Sequence, residues 1–241
     1  MSVNRQQTIK PLLYLPATAP LPEADILGAV QGIVFDATGG NGVRDLASEI
    51  TTTRCFIRIG PVENLTEVDL DGVLASGIDG VVLTECHGPA DIQKLDVLLR
   101  VAEAIAGSAA GSLAVLAEYA TTPQSVLSPH SLKGASPRLK GFVFSAALLA
   151  ESAGCAVPSE EKDAAPVIVA GRAAAVLRAS EAGVAAYDML PGDADTEAAV
   201  RRYCAASARN GFSAVAAQSP QQIALIGAAS LSSQTSAGGG R

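Results

Sequence analysis

Two charged side chains, Arg58 and Glu118, stand within or directly after apolar runs, where a charge is rarely buried without a partner. The guanidinium of Arg58 could bind a carboxylate through two parallel hydrogen bonds. The carboxylate of Glu118 offers oxygen ligands of the kind that Mg²⁺ prefers. Alternatively, the two side chains form a structural ion pair with each other or with their neighbours. The residue types and their spacing leave both interpretations open.

Other polar residues follow further apolar runs, and they are Asp36, Thr38, Thr84, Glu85, Ser145, Asp188 and Gln218. His87 lies in a Cys-His-Gly-Pro loop, where it could act as a general base, although a lone loop histidine is usually solvated. The loop at 39–42, Gly-Gly-Asn-Gly, could cradle a phosphate through backbone amides or form a flexible turn. Which of these residues act together depends on the elements that hold them.

The apolar runs have the nearly continuous character of strands that are buried on both faces of a parallel sheet. We predict eight strands, over 12–15, 32–36, 55–59, 80–83, 113–118, 141–144, 185–188 and 213–217. Segments between them have helical spacing, and we predict helices over 65–74, 91–107 with Asp91 as N-cap, 173–182 and 196–210.

This alternation predicts an α/β fold, a single (β/α)8 TIM barrel over residues 1–231, followed by a disordered Ser- and Gly-rich tail over 232–241. A doubly wound open sheet is the second choice, since no G-x-G-x-x-G motif follows a predicted strand. In barrels, catalytic groups lie at the carboxyl ends of strands. We therefore expect Arg58, Glu118 and the other strand-end residues at one face.

Composition narrows the classes of function. The chain of 241 residues suits one barrel, and 49% of its residues are hydrophobic. A net charge of −7 argues against nucleic-acid binding. The four cysteines form no C-x-x-C pair, the first ten residues lack the apolar core of a signal peptide, and no apolar run is long enough to cross a membrane. We expect a cytoplasmic protein with reduced thiols and no membrane partner.

Several segments resemble, in order and spacing, the citrate lyase β-subunit-like family of the HpcH/HpaI aldolase superfamily. They are residues 12–17 (LLYLPA), 56–60 (FIRIG), 77–83 (GIDGVVL), 116–120 (LAEYA), 141–144 (GFVF), 210–213 (NGFS) and 219–223 (SPQQI). The resemblance implies a barrel lyase that cleaves a carbon–carbon bond in a citryl, malyl or citramalyl thioester, so its substrate would be a small carboxylic acid or acyl-CoA. It also implies a homo-oligomer.

The resemblance assigns Arg58 to the substrate carboxylate or carbonyl and Glu118 to an Mg²⁺ ion that stabilises an enolate. The sequence departs from the family pattern in four segments. Asp36 is the one acid kept from an acidic segment, Glu85 replaces a lysine, Leu148 replaces the second aspartate ligand, and Ser219 replaces a histidine. We therefore expect a weakened Mg²⁺ site, with Asp36 and Glu85 as further substrate-binding candidates.

Three functions remain open from the sequence. The first is a lyase or aldolase with a remodelled site, in which Arg58 and Glu118 are catalytic. The second is a family member that has lost catalysis and acts as a binding or regulatory subunit. The third is a barrel enzyme of different chemistry that uses Arg58 for another anionic substrate.

Overall fold

The computed structural model describes residues 9–36, 50, 52–156 and 165–237. Thr38 and the loop at 39–42 lie outside these residues. Eight parallel strands close into a barrel in chain order, which confirms the (β/α)8 prediction over the open sheet. The strands are β1 Leu12–Pro16, β2 Gly32–Asp36, β3 Arg54–Ile59, β4 Gly80–Cys86, β5 Ala114–Tyr119, β6 Leu139–Phe144, β7 Ala185–Met189 and β8 Ala214–Ala217.

Helices follow the strands around the outside of the barrel. They are α1 Ala24–Ala29, α2 Glu67–Ala75, α3 Pro89–Ala106, α4 Pro123–Leu127, α5 Ala146–Ala153, α6 Pro166–Ala182, α7 Glu197–Arg209 and α8 Pro220–Ala237, with a 3₁₀ turn at Val62–Asn64. Among the helices that the structure describes, none has the length and apolar character that crossing a bilayer requires.

Three helix ends differ from the prediction. Helix α3 is capped by Gly88 and begins with Pro89, so Asp91 is not the N-cap. Its carboxylate instead accepts the backbone N–H of His87 at 2.7 Å. Helix α6 begins at Pro166 because proline suits the first turn of a helix. Helix α8 continues through residues 232–237, where we predicted a disordered tail, since the run of glycines begins only at 238.

Side chains alternate between two cores along every strand. One core lies inside the barrel and takes at least one residue from each strand, namely Leu12, Tyr14, Val34, Phe56, Val82, Leu116, Val143, Tyr187 and Ala216. The intervening residues, such as Leu13, Ile33 and Ile57, belong to a larger core between the barrel and its helices. This period of two fixes which strand-end residues point into the barrel.

The ring of Phe56 fills the barrel interior beside two glycines on the flanking strands. A Cβ added at Gly32 would lie 2.8 Å from this ring, and a Cβ at Gly80 would also lie 2.3 Å from the carbonyl oxygen of Ala114. Small residues at these two positions therefore let one large aromatic side chain fill the interior.

A buried ion-pair network joins α3 to the residue before β6, at the amino end of the barrel. The guanidinium of Arg138 donates to both carboxylate oxygens of Glu103 at 2.6 Å and to Asp96 at 2.9 Å. The three side chains are at most 8% exposed. Burial opposes the ionisation of Glu103, but hydrogen bonds from Arg138 and from the backbone N–H groups of Gly111 and Leu113 outweigh it and lower the pKa of Glu103 to about 2.

The low pKa of Glu103 makes the stability of the fold dependent on pH. Because the unfolded chain binds this proton more readily, the contribution is complete above the ordinary pKa of 4.5 and declines as the pH falls towards 2. Urea unfolding between pH 5 and pH 3 is expected to show this decline, with a shallower slope in Glu103→Gln. The exposed Glu197→Gln serves as control. An equal slope in Glu103→Gln and wild type would contradict the assignment.

Candidate active site

A cavity of about 610 Å³ opens at the carboxyl ends of the strands. Its wall is built by the alternation described above, because the residue two positions beyond an interior side chain also points inward. This rule accounts for seven residues of the wall. Each strand except β4 contributes one of them, either from the strand itself or from the position directly after it. They are Pro16, Asp36, Arg58, Glu118, Ser145, Met189 and Gln218.

Arg58 connects two carboxylates in this wall. Its Nε and Nη2 donate to the two oxygens of Glu118 at 2.7 and 2.9 Å, and its Nη1 donates to Asp36 at 3.0 Å. The side chain of Glu118 is 2% exposed, whereas that of Asp36 is 40% exposed. Arg58 and Glu118, for which the sequence left an ion pair open as one of two interpretations, thus form an ion pair that lines an open cavity.

The electrostatics of the pair keep Arg58 charged. Burial disfavours its charge, but the hydrogen bonds and negative charge of Glu118, followed by the charge of Asp36, raise its pKa above the ordinary value. The exposed carboxylate of Asp36 accepts a hydrogen bond from one guanidinium nitrogen, whereas the carboxylate of Glu118 accepts hydrogen bonds from two. A ligand carboxylate could therefore take the place of Asp36 on Arg58 while Glu118 holds the guanidinium in position.

Uncharged side chains complete the cavity wall. The hydroxyl of Ser145 accepts the backbone N–H of Leu148 at 3.3 Å and so caps helix α5. Leu148 lines the cavity from the first turn of this helix, where the resemblance implies an aspartate. The side-chain amide of Gln218 donates to the carbonyl of Leu190 at 2.6 Å. The side of the cavity formed by α5 is therefore apolar at Leu148.

Two of the predicted strand-end residues, Glu85 and Asp188, do not line the cavity. They occupy strand positions whose side chains point away from the barrel interior. Glu85 is exposed and is absent from the cavity wall. It has a positive φ of 50°, where the register between β4 and β5 shifts. Asp188 points away from the interior and is bound by Arg172 at 2.7 Å and by Ser207. The structure does not bring either residue to Arg58.

Tyr14 and Met189 also line the cavity, although sequence reasoning did not select them. Both lie on the inward parity of their strands, so strict alternation from Leu12 and Tyr187 would have found them. Tyr14 contributes a hydroxyl close enough to the ion-paired residues for Glu118, Arg58 and Asp36 to affect its ionisation.

Two places offer oxygen or nitrogen ligands to a metal. In the cavity, Glu118 is the predicted ligand, but both of its oxygens accept hydrogen bonds from Arg58. Outside the cavity, Glu63, His87 and Asp91 each place a ligand atom within 4.8 Å of the others. Among the described residues this is the one group of three or more His, Cys, Asp or Glu that converges in this way. In the described part of the cavity, both carboxylates, Asp36 and Glu118, already bind Arg58, and the hydrocarbon side chain of Leu148 offers no ligand.

Comparison with known proteins shows the family to which this barrel belongs. The model of the HpcH/HpaI aldolase/citrate lyase family matches residues 38–220, and the chain belongs to this family. A curated relative, citrate lyase subunit beta of Haemophilus influenzae, is 26% identical over 182 residues. That alignment covers 75% of this chain but 60% of the relative, so the match spans about three fifths of the relative's length.

Solved structures share the fold. The citrate lyase beta subunit of Mycobacterium tuberculosis, complexed with oxaloacetate and magnesium, has a TM-score of 0.67 and 19% identity over 92% of this chain and 96% of that chain. Another structure from that organism, of CitE with magnesium, acetoacetate and coenzyme A, has a TM-score of 0.68 and 20% identity over 92% of this chain and 80% of that chain. At these identities the similarity shows the fold.

Proposed function

We propose that this chain is a citrate lyase β-like carbon–carbon lyase that acts on a small hydroxy acid carried as an acyl-CoA thioester. The observation that carries the proposal is the position of Arg58, held by Glu118 at the open end of the barrel with Asp36 as an exchangeable partner. A guanidinium fixed in this way suits a carboxylate ligand. Family membership and the oxaloacetate and coenzyme A bound to similar structures support the substrate class.

The reaction would cleave the bond between the hydroxyl-bearing carbon and the carbon next to the thioester carbonyl. The hydroxyl proton leaves, the oxygen becomes a carbonyl, and the bonding electrons move to the thioester as an enolate that a proton then quenches. In this scheme Arg58 binds the carboxylate of the oxo-acid product. Asp36, once released from Arg58, is the exposed carboxylate of the cavity wall that could accept the hydroxyl proton.

A second candidate function is favoured by Leu148, which supplies a hydrocarbon side chain where the family resemblance implies a metal ligand. Magnesium is usually held by one or two carboxylates together with substrate and water. With Leu148 in the wall and Glu118 bound to Arg58, the chain would bind a carboxylic acid without turnover, as a binding or regulatory subunit.

An assay of acyl-CoA cleavage separates the two functions. Malyl-CoA and citramalyl-CoA are incubated with the purified chain and either Mg²⁺ or Mn²⁺, and the release of acetyl-CoA is followed. The lyase proposal expects release that depends on Arg58. Binding of the acid or thioester without any release would instead establish the binding-subunit function, and the absence of both would overturn the two proposals together.

Replacing Leu148 with aspartate is expected to increase Mg²⁺ affinity by at least about tenfold, because it adds a carboxylate at the position of the cavity wall where the family resemblance implies the second metal ligand. Isothermal titration with Mg²⁺ measures this change. Ala147→Asp is the matched control, since Ala147 is an exposed neighbour on the same helix and lines the same cavity. Equal affinities in wild type and Leu148→Asp would show that position 148 does not control metal binding.

A further inference from the structure

Tyr14 lines the cavity and carries a buried hydroxyl. The side chain is 9% exposed, and its hydroxyl oxygen is shielded from solvent. Among the residues that the structure describes, it has no hydrogen-bond partner. Buried polar atoms in native proteins are almost always satisfied, so such an exception requires an explanation.

Packing does not explain this hydroxyl. The ring of Tyr14 belongs to the interior core with Leu12, Val34 and Phe56. A phenylalanine at this position would keep the same ring and would bring no unpaired polar atom into the core. The hydroxyl is therefore expected to lower the stability of the ligand-free chain, and it does not extend the apolar contacts of the ring.

The surroundings of the hydroxyl favour its protonated form. Burial raises the pKa of Tyr14 well above its ordinary value, and the carboxylates of Glu118 and Asp36 raise it further against the opposing effect of Arg58. The hydroxyl thus keeps its proton at any physiological pH and can donate it in a hydrogen bond. Its natural complement is an acceptor oxygen that bears a partial or full negative charge.

We propose that the Tyr14 hydroxyl donates a hydrogen bond to the ligand, at the oxygen on the carbon next to the carboxylate that binds Arg58. This rests on the proposed function for the ligand class, a short 2-oxo or 2-hydroxy acid. The hydroxyl is shielded from solvent, so this hydrogen bond requires that the ligand carboxylate, in replacing Asp36 on Arg58, also opens the inner end of the cavity beside Tyr14. The hydroxyl would then select ligands with an oxygen at this position.

The test measures stability and binding in Tyr14→Phe. Without ligand, urea unfolding should show a stability equal to or higher than that of wild type, because an unpaired buried hydroxyl is removed. Calorimetric titration with pyruvate and with L-malate should show affinity reduced about fivefold to tenfold, as expected for one lost hydrogen bond. A purely structural role would not combine retained stability with weaker binding.

Tyr187→Phe is the matched control, since Tyr187 is another tyrosine of the interior core, on β7, and it does not line this cavity. Its affinity for both acids should equal that of wild type. If wild type binds and Tyr14→Phe binds equally well, the Tyr14 inference fails while the proposed function stands. If Tyr14→Phe is less stable than wild type, the hydroxyl has a structural partner and the inference fails. If wild type binds neither acid, the Tyr14 inference fails, and the assay of acyl-CoA binding and cleavage decides separately whether the proposed function also fails.

Discussion

Replacing Arg58 with methionine is expected to destabilise the fold by about 3–5 kcal/mol, because it leaves the carboxylate of Glu118 buried without its partner. The methionine fills a similar volume, so the loss reports the uncompensated charge rather than a cavity. Urea unfolding at neutral pH measures the change. The double variant Arg58→Met/Glu118→Leu should recover much of the lost stability, since neither charge is then left in the barrel.

Arg201→Met is the control for this prediction. Arg201 pairs with Glu197 on the surface of α7, and the two side chains are 49% and 45% exposed. Exposed pairs contribute less than about 1 kcal/mol, so this variant should remain close to wild type. Equal losses in the two variants would mean that the Arg58–Glu118 pair is effectively solvated, which would contradict the site as described.

Replacing Arg138 with methionine should destabilise the fold by about 3–5 kcal/mol or more, because two buried carboxylates, Glu103 and Asp96, lose the same partner. The free energy of unfolding again measures the effect. In contrast to Arg58 variants, the remaining folded protein should bind acids with wild-type affinity, since this network lies at the amino end of the barrel and the cavity at the carboxyl end.

Arg100→Met is the matched control at the amino end. Arg100 contacts the same Asp96 carboxylate, but its side chain is 63% exposed. Solvent screens such a pair, so its removal should change stability by less than about 1 kcal/mol. A loss of stability as large as that of Arg138→Met would show that the exposed and the buried arginine contribute equally, which would contradict the role given to burial.

The sequence was sufficient to predict the barrel and the face that carries the site. Buried parallel strands are nearly continuous apolar runs, and eight of them alternate with helical segments. The expectation that buried charges need partners included the pairing of Arg58 with Glu118 as one open alternative, and the contact between strands β3 and β5 was needed to decide it. Short helices such as α4 and α5 were not predicted, because 5–8 residues are too few to show a clear helical period.

The orientation of single side chains was harder to predict from the sequence. Glu85 and Asp188 lie at strand ends like Asp36 and Arg58. They are one position away from the inward-facing residues of their strands, so their side chains point out of the barrel. Register, together with the irregularity between β4 and β5, decides this orientation and depends on contacts between strands. The unpaired hydroxyl of Tyr14 depends on the packing of the whole interior, so no local pattern indicates it.

The most direct test of the site is the binding of a short acid to Arg58. Wild type, Arg58→Lys and the control Arg201→Lys are each titrated calorimetrically with pyruvate and L-malate. Arg58→Lys keeps the positive charge but loses the planar guanidinium, which can donate two parallel hydrogen bonds to a carboxylate. We expect one saturable site in wild type and Arg201→Lys, and affinity at least about tenfold weaker in Arg58→Lys. The absence of binding in wild type, or equal affinity in Arg58→Lys, would contradict the assignment of Arg58 as the carboxylate-binding residue.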